Sequence, residues 1–252
     1  MPRQILYIAD DLGLSEEANA AMLHAHREGV LDGAGLMMGQ PGTAAAVELA
    51  REHPELQVGW HLHLNDSRPL TREAWPWGRS PARAGFAIGL LPRWRAFARR
   101  EIEAQWRAFQ ATGLECAFAN GHHHIHLHPF VRRTMLELLG EDFRGWIRWG
   151  RPRFFQPSAQ SWGFALLDAW IQAPLRRRWA AGRFPYPLSD TLWGIDRTFS
   201  MRAEEVRRVL PTLGEGLHEF MFHPRRIEGD PDTRCLLDLR TSPRARRLSR
   251  SQ

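Results

Sequence analysis

The chain has 252 residues, enough for one large domain with its own core, and its 43% apolar and 25% charged residues exclude a disordered or fibrous protein. The net charge of +6 comes entirely from arginine, because lysine is absent, and no nucleic-acid recognition motif accompanies it. Two cysteines, Cys116 and Cys235, exclude a disulfide framework, and no apolar run reaches the length of a membrane span. The start, MPRQILYIADD, is unlike a secretory signal, so a cytoplasmic location is expected.

Strand-like and helix-like stretches alternate. ILYIA (5–9) predicts a buried strand, and LSEEANAAMLHAHREG a helix capped by Ser15 and closed by Gly29. GAGLMM is a second strand, and PGTAAAVELAREHP a helix that stops at Pro54. LQVGWHLHLN (56–65) is a third strand with alternating character. Residues 66–91, rich in Trp, Pro and Gly, predict a long loop, and Pro92 opens a helix to about Thr112. CAFAN is a fourth strand that runs into NGHHHIHLHP (120–129), and FVRRTMLELLG is a helix. WIRW is a fifth strand, a helix is expected near 163–181, and DRTFS is a short strand. AEEVRRVLPTL is helical up to Pro211, and LHEFMFHP (217–224) is the last strand.

Repeated strand–helix units predict an α/β fold, a distorted parallel (β/α) barrel of about seven strands. Residues 1–240 form one domain on this reading, with a loop/helix insertion near 66–112, and the Arg-rich segment 241–252 is a mobile tail.

In such folds ligands sit at the carboxyl ends of the strands. Here the first strand ends in Asp10-Asp11, the third carries His61 and His63, the fourth leads to Asn120 and His122, and the last ends in His223-Pro224. Each alone has a purely structural reading, as a helix cap or a hydrogen-bonded strand residue. Together they predict a metal site, because crowded neutral imidazoles are accommodated when a cation uses some of them. If the histidine run continues the strand, His122, His124 and His126 share one face and His123 points the other way. One carboxylate and two imidazoles from three strands leave positions on an ion open for water and substrate, which suits catalysis. A second carboxylate beside them could take a proton, and Asp10 and Asp11 are suited to dividing these tasks.

These motifs resemble those of the YdjC-like carbohydrate deacetylases. The likeness rests on IADDLGLS (8–15), NAAMLHAHREGVLDGAGLMM (19–38), VGWHLHLN (58–65), NGHHHIHLHP (120–129) and EFMFHP (219–224). Residues 82–114 resemble the branch of the family associated with hopanoid biosynthesis. The resemblance implies a divalent cation held by Asp11, His61 and His122, with Asp10 as general base and His223 as general acid. It implies removal of an N-acetyl group from an amino sugar, borne in that branch by a hopanoid lipid. Magnesium is the family's usual ion, whereas two imidazoles and a carboxylate suit zinc, cobalt or manganese as well.

His124 and His126 are either supports that orient a ligand histidine or packed residues of the turn. Arg148 is either a group that steers the base or substrate or, more often for such a position, a solvated strand end, and the roles of His63, His123 and His128 stay open. Leu12 stands where the family usually has Phe, and Asn120 where many relatives have Asp. The Arg/Trp-rich segments 90–100 and 173–184 would suit peripheral contact with the inner face of a membrane, or simple helices with Trp in the core and Arg outside. Rival functions are a metal-dependent phosphoesterase and a non-catalytic metal- or lipid-binding protein. Oligomeric state is not legible.

Overall fold

The computed structural model describes residues 2–28, 30–156, 158–178 and 186–241. Gly29, the end of the 173–184 segment and the tail beyond residue 241 lie outside them. The strands are β1 (Arg3–Leu12), β2 (Gly33–Leu36), β3 (Gln57–Leu62), β4 (Phe118–Gly121), β5 (Trp146–Ile147), β6 (Arg151–Arg153), β7 (Thr191–Trp193) and β8 (Gly216–Phe222). Between them run α1 (Glu16–Arg27), α2 (Thr43–Glu52), α3 (Pro81–Leu90), α4 (Pro92–Ala111), α5 (Pro129–Leu139), α6 (Ala159–Leu167), α7 (Ala173–Arg178) and α8 (Ala203–Val209). Helix α9 (Pro231–Asp238) follows β8.

The fold is α/β, as expected, with eight strands hydrogen-bonded in the order β5-β4-β3-β2-β1-β8-β7-β6. The β1–β8, β3–β4, β6–β7 and β7–β8 ladders are all parallel. Contacts divide the chain into two compact units. The first holds residues 1–9, 20–33 and 146–252, and the second residues 10–19 and 34–145.

In the first unit the ladder of β1 with β8 carries the core. Tyr7 meets Phe220 and Phe222 edge-on, and Trp193 stacks on Phe220 with centroids 5.8 Å apart. Every residue of β8 is buried, His218 and Glu219 included, so the strand shows no alternation of buried and exposed positions. β5 is also bonded to the approach to β7. The Ile147 N–H donates to Pro187 O, and the Ser189 N–H donates to Ile147 O.

In the second unit α4 does two jobs. Its apolar face packs Trp106 against Trp60, with centroids 4.9 Å apart. Its buried Glu101 and Gln105 serve the chain that follows β3. Glu101 accepts from the N–H groups of Leu70 and Thr71, while Gln105 accepts from the His63 N–H and donates to His63 O. The indole N–H groups of Trp75 and Trp77 donate to Ser67 O and Leu64 O. Residues 66–80 thus form a loop pinned by these bonds.

Several expectations are corrected. Residues 81–90 form α3 and not a loop; Ser80 caps it, Pro81 opens it, and Gly85 and Gly89 obscure its periodicity. DRTFS is a turn, with Ile195–Arg197 in a 3₁₀ helix, and the strand lies earlier, in β7. Its polar, charged sequence never faces a core. The helix near 163–181 is α6, one π-helical stretch at Asp168–Gln172, and α7. β6 and α9 were not expected.

Arg148 is not a solvated strand end but is 1% exposed, with its Nε 2.8 Å from Glu219 Oε1 of β8. Removing one partner of a buried pair strands the other charge in low dielectric. Arg148→Ala should therefore destabilise by about 3–5 kcal/mol in denaturant melts, and Arg148→Met with Glu219→Leu should recover most of that loss.

Candidate metal centre

Parallel register brings the site together. In the β3–β4 ladder His61 pairs with Asn120, and Leu62 with Gly121, so His122 follows one step beyond the last pair. Asp11, at the end of β1, has φ of 69°, a left-handed conformation that costs a non-glycine residue about 1–3 kcal/mol. Asp tolerates it better than most side chains, and strain of this kind gathers at functional sites.

Asp11 is fully buried between two imidazoles. Its Oδ1 lies 2.7 Å from His122 Nδ1 and 3.1 Å from His61 Nε2. The donor atoms of Asp11, His61 and His122 all lie within 4.8 Å of one another. Burial by itself would raise the Asp11 carboxyl, but His122 and then His61 hold it well below the usual range. Burial lowers His61 in turn, yet Asp10, Asp11 and Asn120 together raise it.

Asn120 fixes the tautomer. Its amide nitrogen donates to Asp10 Oδ1 at 3.0 Å, which turns its oxygen to His61 Nδ1 at 2.6 Å. A neutral His61 with its proton on Nδ1 then aims the Nε2 lone pair at an anionic oxygen. Positive charge between them, from a proton or a cation, removes that conflict. The Nε2 of His122 is buried without a hydrogen-bond partner, and that of His61 meets the Asp11 carboxylate. A buried carboxylate, two imidazoles and an unused ring nitrogen fit a divalent cation.

The other histidines separate clearly. His63 is spent on structure: its Nε2 donates to Met38 O, Ser67 Oγ lies 2.9 Å from Nδ1, and burial pushes it down to about 3. The run after β4 does not continue the strand. His122–Leu127 is a 3₁₀ turn, with His123 and His124 in left-handed conformations, so the shared face of His122, His124 and His126 does not exist. The physical reason is the turn into α5, where Pro129 opens the helix. His124 and His126 pair with each other at 6.0 Å between ring centroids, whereas His122 meets His61 at 5.7 Å. His123 turns its Nε2 to Asp66 Oδ2, 3.6 Å away. Asn120 orients the His61 ring, and its place at the end of β4 was the available signal.

His223 lies in the first unit at the end of β8. Its backbone N–H donates to Asp232 Oδ2, and Asp232 Oδ1 accepts from Met201 N–H. The Phe199 ring, on a residue with φ of 63°, sits 5.0 Å from the His223 ring. Burial pushes the Asp232 carboxyl up to about 6.

Two outcomes follow. A Cβ on Gly35 of β2 would approach the His61 ring to 3.1 Å, and Asn120 prevents that ring from retreating. Gly35→Ala should weaken divalent-metal binding about tenfold in calorimetry, as loss of a group that orients a ligand does, with little change in melting. For Asp232, whose carboxyl is raised on folding, the proton-linked stability is present below about 4 and lost as pH rises to about 6. The stability of the native protein relative to Asp232→Asn should therefore fall across that window and level off above it, as followed by melts at successive pH values.

Comparison with known proteins places this geometry. Residues 4–248 match the profile of the YdjC-like protein family. Among curated relatives, proteins named carbohydrate deacetylase from Brevibacillus brevis, Geobacillus stearothermophilus and Vibrio vulnificus are 36%, 37% and 36% identical over 150, 154 and 135 residues. Those matches cover 58%, 59% and 50% of this chain, and the chain spans only 59%, 60% and 51% of the relatives' own lengths. A crystal structure from Enterococcus faecalis V583, provisionally assigned as a cellobiose-phosphate cleavage protein, shares the fold with a TM-score of 0.58 at 15% identity, over 94% of this chain and 91% of that one. Matched along nearly its whole length, the chain belongs to the YdjC-like protein family.

Proposed function

We propose that the protein is a metal-dependent carbohydrate deacetylase that hydrolyses the N-acetyl group of an amino sugar. The observation that carries this reading is the convergence of Asp11, His61 and His122, with Asp10 held beside them through Asn120. The names of the curated relatives support the substrate class. The resemblance of residues 82–114 to the hopanoid-associated branch supports a hopanoid-borne sugar as the finer substrate. The whole of residues 1–240 is taken as the working domain. The ion is magnesium by family habit, and zinc, cobalt or manganese by ligand chemistry.

An amide is a poor electrophile, so its hydrolysis needs a stronger nucleophile and a stabilised oxyanion. A divalent cation on Asp11, His61 and His122 supplies Lewis acidity for both. Asp10 is the base that takes the proton from the attacking water. Asn120 keeps one Asp10 oxygen bonded and His61 in register, so neither rotates away. His223 is the acid that protonates the departing amine, a task an imidazole suits near neutral pH. Asp232 holds the His223 backbone through its N–H.

Phosphoester cleavage ordinarily assembles two ions on additional carboxylates, whereas the buried group of Asp11, His61 and His122 offers one carboxylate to one ion. Acetate release from N,N′-diacetylchitobiose and from an N-acetylglucosaminyl hopanoid is the test, with a chromogenic phosphate ester as the counter-screen. Asp10→Asn should lower turnover by about 10²–10⁴-fold while bound metal stays at the native level, and His122→Ala should lose the metal. Substantial activity in Asp10→Asn, or phosphate ester cleavage without acetate release, would overturn the assignment.

A further inference from the structure

The first unit carries a helix with apolar side chains turned to solvent. From Ser158 to Arg178 the chain forms α6, the π-helical stretch and α7. Among its described side chains the buried ones are polar. Ser161 bonds back to the Ser158 cap, and Gln172 accepts from the indole N–H of buried Trp149 at 2.9 Å. Four large apolar side chains face outward: Trp162 is 65% exposed, Leu166 58% and Trp170 80%, with Phe164 at 36% beside them. Four of the nine large apolar side chains exposed among the described residues fall in this one stretch.

Residues 162 and 166 are one helical repeat apart, and Trp170 continues the line across the wider turn, so the three make a stripe. Such a face costs solvation energy and persists where something covers it. Charge identifies the cover. Residues 151–178 contain five arginines and a single acid, Asp168. That acid is neutralised by a two-pronged pair with Arg176, at 2.6 Å on each oxygen. Arg151, Arg153 and Arg177 are exposed. A protein partner would need a matching apolar groove, whereas aromatic residues flanked by arginine are the pattern that lies in the headgroup region of anionic lipid. No helix among the described residues is long and apolar enough to cross a membrane. This helix could lie along one.

We infer that the Trp162–Leu166–Trp170 stripe docks the protein on the surface of an anionic lipid bilayer. The contact is thus at α6 and the turn after it. The inference stands on the stripe and its charge and does not require the deacetylase reading.

The full chain is floated with vesicles of phosphatidylcholine alone and with vesicles containing equal parts of phosphatidylglycerol. Docking predicts flotation with the anionic vesicles, a blue shift of tryptophan emission, and loss of binding in high salt. Trp162→Ala with Trp170→Ala should lower the bound fraction about tenfold or more, with circular dichroism, metal content and acetate release from a soluble sugar unchanged. Three results would overturn it: no flotation on anionic vesicles, equal flotation on neutral ones, or native flotation of the double variant. A native dimer that the same double variant dissociates, without flotation, would assign the stripe to a second copy of the chain instead.

Discussion

A carboxylate buried between two imidazoles is the constraint on which the candidate centre depends. Asp11 has no solvent to share its charge, and the Nε2 of His61 is turned toward it by the bond from Nδ1 to Asn120. In low dielectric such a set is costly unless positive charge resides within it. The raised His61 and depressed Asp11 express the same demand from its two sides. A divalent cation meets it better than a proton, because a cation has several bonding directions and a proton has one useful partner at a time.

Everything nearby serves to keep that arrangement from relaxing. The parallel register of β3 and β4 sets His61 opposite Asn120, and the missing side chain at Gly35 leaves room for the imidazole. The left-handed backbone at Asp11 aims its carboxylate, at a cost met by the buried strands of β1 around it. Asp10, the neighbouring residue, shares Asn120 as a partner and remains an acceptor. Two adjacent carboxylates thus acquire different surroundings, which suits the division into ligand and base proposed for them.

Much of this was legible in the sequence. Strand ends announce themselves when an apolar run stops at residues able to bind metal, and ILYIADD, VGWHLHL and CAFANGH all do so. Helix starts at Ser15 and Pro92 were equally clear, and Ser15 Oγ does accept from the Ala18 N–H. What failed had identifiable physical causes. The histidine run looks like strand by its alternation, but the helix that Pro129 opens, eight residues after β4 ends, requires a turn. Arg148 looked solvated because its partner, Glu219, is distant in the chain and buried among apolar neighbours. The part played by Asn120 is not legible, since only the register of two strands reveals that one amide spans Asp10 and His61. The exposed stripe of α6 was invisible because apolar periodicity does not say which way a helix faces.

The central claim is most directly tested by X-ray absorption spectroscopy at the metal edge of the zinc-loaded protein. The account predicts outer-shell scattering from two imidazole rings, reduced to one in His61→Ala. A bound ion surrounded only by oxygen, with the same spectrum in native protein and variant, would contradict it.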